Sequence, residues 1–261
     1  LTDPTATRPA GTEREFGEEW VRYPEIVPAH REQFAAWIQP LTPGDFAGKR
    51  FLDAGCGTGR NSFWPLDAGA DGGVAFDADP RTVAVAKKNL ARFPRCRVET
   101  HSIYDIPFRA EFDIVFCLGV LHHLAEPRRA VENLVAALKP GGRLILWVYG
   151  REGNGLYLTF VEPLRRVTSR LPVGVTLAIS KILTAVLRAS LALPWRDPYL
   201  RFLRTLGFRH TEAIVFDQLL PSIARYWRKD EVLALVTGLP LRVDRMTHVR
   251  RMSWTLVATK E

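Results

Sequence analysis

The chain has 261 residues, 47% of them hydrophobic and 25% charged, a globular balance that excludes a disordered or fibrous protein. Its net charge of +8 is one-sided: residues 1–150 hold 18 Lys and Arg against 19 Asp and Glu, and residues 151–261 hold 18 against 9. The basic second half points to nucleic acid, an acidic membrane surface or an anionic substrate, or else it is only a solvated face.

Three cysteines, Cys56, Cys96 and Cys117, show no metal-ligand spacing, and so sparse and odd a count suits a reduced cytosolic protein. The polar start "LTDPTATRPAGTERE" carries no basic-then-apolar signal. From Lys49, "KRFLDAG" reads as a buried strand running into a turn, and "GRNSFWPLDAGA" as a short helix ending at Gly69. "GGVAFDADP" is a second strand, "RTVAVAKKNLARF" a helix, "RCRVETHS" a third strand and "EFDIVFCLGV" a fourth. "LHHLAEPRRAVENLVAALKPGG" reads as one helix with a Pro-Gly-Gly stop, followed by a fifth strand, "RLILWVYG". Strands alternating with helices predict a parallel sheet with its ligand site beyond the carboxyl ends of the strands. From Arg151 the alternation breaks, and residues 151–229 are Leu-rich, Arg-rich and interrupted by prolines 163, 172, 194, 198 and 221. An insertion there shapes a binding site. "KDEVLALVTGLP" then resumes the pattern, and "LRVDRM" with "MSWTLVATK" closes the sheet as an antiparallel pair.

The loop after the first strand reads Asp53-x-Gly55-x-Gly57-x-Gly59, with Arg60 where a dinucleotide fingerprint needs its third glycine. Asp53 is poor company for a pyrophosphate and good company for a cationic amine. Asp77, eighteen residues after Gly59, is placed to accept the hydroxyls of a ribose, while Asp79, directly before Pro80, suits the N-cap of the next helix. The implied ligand has an amino group, a ribose and no phosphate.

In this order, "LDAGCGTGRN", "VAFDADP", "YDIPF", "FDIVFCLGVLHHL" and "LKPGGRLIL" resemble the class I S-adenosylmethionine-dependent methyltransferases, over roughly residues 48–150 with a weaker match at 230–260. The resemblance implies a Rossmann-like α/β fold: seven strands, mostly parallel, flanked by helices, with a helical insertion after the fifth strand. It divides the chain into an N-terminal helical lid (1–47), a cofactor-binding core (48–150), a substrate-binding insertion (151–229) and a closing helix and hairpin (230–261). The cofactor it implies is S-adenosyl-L-methionine, leaving as S-adenosyl-L-homocysteine. Gly55, Cys56, Gly57 and Gly59 are then expected at its methionine part, with Asp53 beneath them, Asp77 on the ribose and Ala78 beside the adenine. The family's "GDAEDLPF" becomes "HSIYDIPF" here, which puts Ser102 in place of the adenine-binding Asp, while the Ile103 N–H remains able to serve the ring. Cys117 and Leu118 are expected to border the methyl group.

Displacement at a sulfonium needs alignment, a dry site and, for a hydroxyl or protonated amine, a base. His122 and His123 follow the fourth strand within reach; each is a base or simply a packed histidine. Tyr149 ends the fifth strand on the ligand side, Trp20 and Tyr23 suit an aromatic lid over a sulfonium, and Asp217 is a base or an acceptor ligand, each set against an ordinary structural role. Adjacent histidines cannot easily share an ion, so no metal is expected. Neither an Asn/Asp-Pro-Pro-aromatic turn nor a Pro-preceded nucleophilic Cys is present, which argues against DNA base methylation. Residues 171–194 are almost wholly apolar, with Leu177, Lys181, Thr184 and Arg188 in a narrow polar stripe. They read as a lid packed on the sheet with the stripe in water, or as a peripheral helix at an anionic membrane surface, helped by neighbouring arginines. Methyl transfer to an O, N or C atom of a small or lipid-linked acceptor, anionic or neutral, in the cytoplasm is the leading expectation. An RNA methyltransferase and a non-catalytic cofactor-binding protein are the rivals, and the oligomeric state stays open.

Overall fold

A computed structural model describes residues 17, 20–193 and 197–261. The expectations for residues 1–16, and for Pro194 and Arg196 at the end of the apolar segment, lie outside the described residues. Seven strands form one sheet: β1 (Arg50–Ala54), β2 (Gly72–Asp77), β3 (Cys96–Thr100), β4 (Phe112–Leu118), β5 (Leu138–Tyr149), β6 (Leu241–Val249) and β7 (Ser253–Lys260). Their order is β3-β2-β1-β4-β5-β7-β6. The first five run parallel, and β7 is antiparallel to both β5 and β6. The chain order reverses between β1 and β4, so a crevice opens at the carboxyl ends of those two strands.

Both faces of the sheet are covered. The helices α1 (Ala29–Trp37), α2 (Arg60–Asp67) and α3 (Pro80–Asn89) bury Phe34, Trp64 and Ala86 with Phe51 and Phe116 of the sheet. Trp37 of α1 stacks on Trp147 of β5 at 4.1 Å between ring centroids. The other face holds α4 (Pro127–Ala137) and α9 (Lys229–Ala234), whose Val131, Leu134 and Val232 pack on Leu52, Val115 and Leu146. Asp79 caps α3 by accepting the Arg81 N–H at 2.8 Å, as its place before Pro80 predicts.

Two boundaries differ from the sequence reading. His122 and His123 lie in a short 3-10 turn (Leu121–His123), and the helix begins only at Pro127. The Pro-Gly-Gly stretch joins β5, which starts at Leu138. Pro127 explains the first difference, because it disfavours helical backbone at the residue before it and fits the first turn of a new helix.

The insertion is helical: α5 (Gly155–Thr168), α6 (Val173–Ser190), α7 (Pro198–Thr205) and α8 (Phe208–Leu219). The polar stripe on α6 is not simply turned to water. Thr184 is buried, Leu177 and Arg188 are half-buried, and Lys181 alone of the four is exposed. Arg188 donates to the carbonyl of Leu206 at 2.5 Å, so it satisfies backbone inside the insertion.

At the end of β1, Asp53 is buried and accepts the Ser62 hydroxyl of α2 at 2.6 Å. Burial pushes its carboxyl up to about 7, opposed by the Ser62 bond and helped by the charge of Asp77. A carboxyl raised on folding stabilises the fold while protonated, and that contribution is lost as pH climbs through its folded value. Asp53→Asn keeps an oxygen for Ser62 and removes the charge. Between about pH 4 and about pH 8 its melting temperature should therefore rise relative to the parent by at least about 2–4 °C, the shift per kcal/mol in a chain of this size. Melting curves across that range check this, and a pH-independent gap would count against it.

Candidate active site

The crevice at the strand ends opens into one cavity of about 280 Å³, near the lower end of small-molecule clefts. Its floor is the loop after β1. Gly55 and Gly57 have φ of +76° and +54°, a region L side chains avoid. A Cβ on Gly55 would also stand 2.4 Å from the Val120 side chain. The loop is tied to β2, since the N–H groups of Gly55 and Cys56 both donate to the Phe76 carbonyl, at 2.9 and 2.8 Å.

Asp77 stands beside the floor. Its Oδ2 accepts the Gly57 N–H at 3.0 Å and its Oδ1 the Asp79 N–H at 3.2 Å. Burial pushes the carboxyl up to about 6, opposed by these backbone donors. A carboxylate offers about four lone-pair sites, so acceptor capacity remains toward the cavity that Asp77 lines. Ala78, His101 and Ile103 continue this wall. His101 is oriented by a 2.9 Å contact from Nε2 to Glu99.

The opposite wall is a polar and aromatic network. Tyr149 donates its hydroxyl to Asp217 Oδ2 at 3.1 Å, and Gln218 Nε2 donates to both groups at 3.0 Å. The Tyr157 hydroxyl donates to Gln218 Oε1, which also accepts from Tyr226 at 3.4 Å. Tyr226 stacks on Tyr149 at 5.3 Å. Burial pushes Asp217 up to about 6, while the Tyr149 bond and the charge of Arg60 oppose the rise. Tyr149 is pushed well up by burial, with Asp217 adding to the effect, so it acts as a neutral donor.

The histidine pair divides as adjacent residues of a tight turn must. His123 lines the cavity, and its Nδ1 contacts the Ile223 carbonyl at 2.7 Å. A carbonyl only accepts, so Nδ1 carries the proton and the ring lone pair is on Nε2. Burial pushes His123 down to about 4, with the Ile223 bond opposing. His122 stacks on Tyr149 at 3.7 Å, and burial drives its pKa well below the ordinary value. It is a packed neutral ring behind the wall.

Of the residues singled out in the sequence, Trp20, Tyr23, Gly55, Cys56, Gly57, Asp77, Ala78, Ile103, Leu118, His123, Tyr149 and Asp217 line this one cavity. Asp53, Gly59, Ser102, Cys117 and His122 do not. Asp53 lies beneath the loop on Ser62, and Gly59 starts α2 in the left-handed region. Ser102 is exposed, and its Oγ accepts the Tyr104 N–H at 3.3 Å. Cys117 is wholly buried in the core, because alternation along β4 sends it to the face opposite Leu118. Sequence reasoning missed Gln218, Tyr157, Tyr226 and His101. The "DQ" step after the apolar run at 213–216 was the only signal for Gln218. Tyr157 and Tyr226 lie 69 positions apart and meet only in the fold, at 5.7 Å between ring centroids.

A family model described as a methyltransferase domain matches residues 52–146. A ubiquinone biosynthesis O-methyltransferase of Leptothrix cholodnii is 30% identical over 196 residues, covering 73% of this chain and 76% of that protein. A tRNA U34 carboxymethyltransferase of Trichlorobacter lovleyi is 36% identical over 122 residues, 45% of this chain and 36% of its own length. Over the first curated relatives that it matches, the chain spans about half of their length or less. Among solved structures, magnesium protoporphyrin IX methyltransferase of Synechocystis PCC 6803 with bound S-adenosylhomocysteine superimposes with a TM-score of 0.60 at 18% identity, over 95% of this chain and 98% of that one. The residues present fit this cofactor: a side-chain-free loop for close approach, an acceptor-rich Asp77 at the strand end for a ribose, and a flat wall at Ala78 and Ile103 for a base. The chain belongs to the class I S-adenosylmethionine-dependent methyltransferases.

Proposed function

We propose that the protein transfers the methyl group of S-adenosylmethionine to an oxygen or nitrogen of a small or lipid-linked acceptor held by the Tyr149–Asp217–Gln218 wall. The observation that carries this reading is one shared cavity, whose cofactor wall comes from the ends of β1 and β2 and whose other wall comes from the insertion and Tyr149 of β5. The cofactor, when bound, supplies an electrophilic methyl group on a sulfonium.

The chain's own residues then have three tasks. The glycine loop and Asp77 hold the nucleoside in register with the crevice. Trp147, Tyr149, Tyr157 and Tyr226, together with the helices of the insertion, exclude water, so that the aligned displacement meets little competition from solvent. Asp217 is the strongest base on the acceptor wall. Fixed by the donors Tyr149 and Gln218, it accepts the proton that an O–H or N–H acceptor releases. His123, held in one tautomer by Ile223, is a polar wall rather than an acid, being neutral near pH 7.

The ubiquinone relative supports a small or lipid-like acceptor. RNA is the second reading, favoured by the basic second half and the tRNA-modifying relative. Methyl-labelled cofactor added to a lysate fractionated into solvent-extractable metabolites and RNA separates them. Label in the metabolite fraction is expected, label confined to RNA reverses the choice, and cofactor binding without label in either leaves a binding protein.

S-adenosylhomocysteine should raise the melting temperature by mass action, while NAD should not. Asp77→Ala removes an ionised acceptor worth about 1.5–3 kcal/mol, so calorimetry should show affinity for S-adenosylhomocysteine falling at least ~tenfold. Asp77→Asn keeps an oxygen for the Gly57 N–H, and it should fall between the two if both loop order and ribose recognition count.

Once an acceptor is in hand, turnover should decline as pH drops through about 6, where the raised carboxyl of Asp217 takes up its proton. Asp217→Asn should lower kcat by about 10²–10⁴-fold and abolish that acid limb. An unchanged pH profile in the variant would remove Asp217 from proton transfer.

A further inference from the structure

Helix α6 is turned inside out for a surface in water. Its small polar side chains Thr176, Ser180 and Thr184 recur every four residues and are wholly buried, on the side of α6 that packs against α8. Their hydroxyls are satisfied there, by the carbonyls of Thr168 at 2.9 Å, Leu177 at 2.8 Å and Ser180 at 2.7 Å. The opposite side carries Val175, Ile182 and Val186, and Ile182 and Val186 are 66% and 64% exposed. Leu193 beyond the helix, and Phe160 and Val167 on α5, are exposed as well, Phe160 by 70%. Leaving this much apolar surface in water forfeits the main driving force of folding, and an exposed apolar helix face of that kind marks an interaction site.

The charge of the segment that carries this face identifies the partner. Residues 155–210 hold nine Lys and Arg against two Asp and Glu. Arg165 is spent inside, on Glu162 and the Pro221 carbonyl, and Arg166 also pairs with Glu162, but Arg170, Lys181, Arg201 and Arg204 are exposed. Apolar side chains bordered by cations complement an anionic phospholipid surface, the side chains entering the acyl boundary and the cations meeting phosphate. The helix is apolar and long enough to cross a membrane by composition alone, yet its Thr–Ser face is committed to α8. Only one face is therefore available to lipid, which requires an in-plane helix.

We propose that the outer face of α6 docks on an anionic phospholipid bilayer, with the helix lying in the plane of its surface. Tyr157 of α5, Phe202 of α7 and Asp217 of α8 line the cavity, so the unit that meets the bilayer also walls the acceptor compartment. The docking itself does not depend on the methyl-transfer reading.

Flotation of the full chain with phosphatidylcholine vesicles, with and without phosphatidylglycerol, tests it. The protein should float with the anionic vesicles at low salt, and far less with neutral vesicles or at high salt. Ile182→Glu with Val186→Glu, both at exposed positions, should lower the bound fraction at least ~tenfold while melting temperature and S-adenosylhomocysteine binding stay unchanged. Lys181→Glu with Arg204→Glu should lower binding to the anionic vesicles selectively. Arg188 is unsuitable for this purpose, because its bond to Leu206 is structural. Failure of the unmodified protein to float, or undiminished flotation of the apolar variant, overturns the proposal. So does a concentration-dependent dimer in sedimentation that the apolar variant breaks while neither protein floats, which would assign the face to a second copy. Cofactor binding read beside flotation keeps failure of docking distinct from failure of the active-site reading.

Discussion

The hydrogen bond from the Gly57 N–H to Asp77 at 3.0 Å joins the end of one parallel strand to the loop that follows its neighbour. Everything at the ligand end is measured from that tie. It requires a backbone at Gly57 that an L residue avoids, and it requires a carboxylate kept out of water at the end of β2. Burying that charge is costly, which is why burial raises its pKa and why two backbone donors converge on it. Glycine meets the first requirement without strain, and the backbone donors offset part of the second.

Three acids stand at the crevice with different duties. Asp53 is closed off beneath the loop and serves Ser62. Asp77 shares its oxygens between backbone donors and the cavity. Asp217 arrives from the insertion and is held by side chains alone, Tyr149 and Gln218. Each is raised chiefly by burial, but only the last is held by side chains with no backbone donor. In the proposed reading, that arrangement gives acceptor chemistry to the insertion together with Tyr149 and cofactor geometry to the ends of β1 and β2.

The insertion faces two ways. Its inner side supplies tyrosines, Asp217 and Gln218 to the cavity. Its outer side puts aliphatic residues and cations into solvent. The usual amphipathic logic is reversed on α6, where threonine and serine hydroxyls donate to carbonyls of α5 and of α6 itself on the buried side, and Ile182 and Val186 are left outside.

The strands, their parallel order and the glycine loop were legible in the chain itself, because short continuous apolar runs alternating with helical segments, turn glycines and an acid at a fixed distance are local signals of a parallel sheet buried on both faces. Asp79 as a cap was equally local. What the sequence could not rank was anything decided by direction. His122 and His123 are equivalent as text, and only the 3-10 turn sends one to the cavity and the other against Tyr149. Cys117 and Leu118 part for the same reason, by alternation on β4. Tyr157, Asp217, Gln218 and Tyr226 come together across long separations that no periodicity encodes. The polar stripe on α6 showed that the helix has two faces, but which face turns inward depends on what α8 offers it, and that is a property of packing between elements rather than of either segment alone.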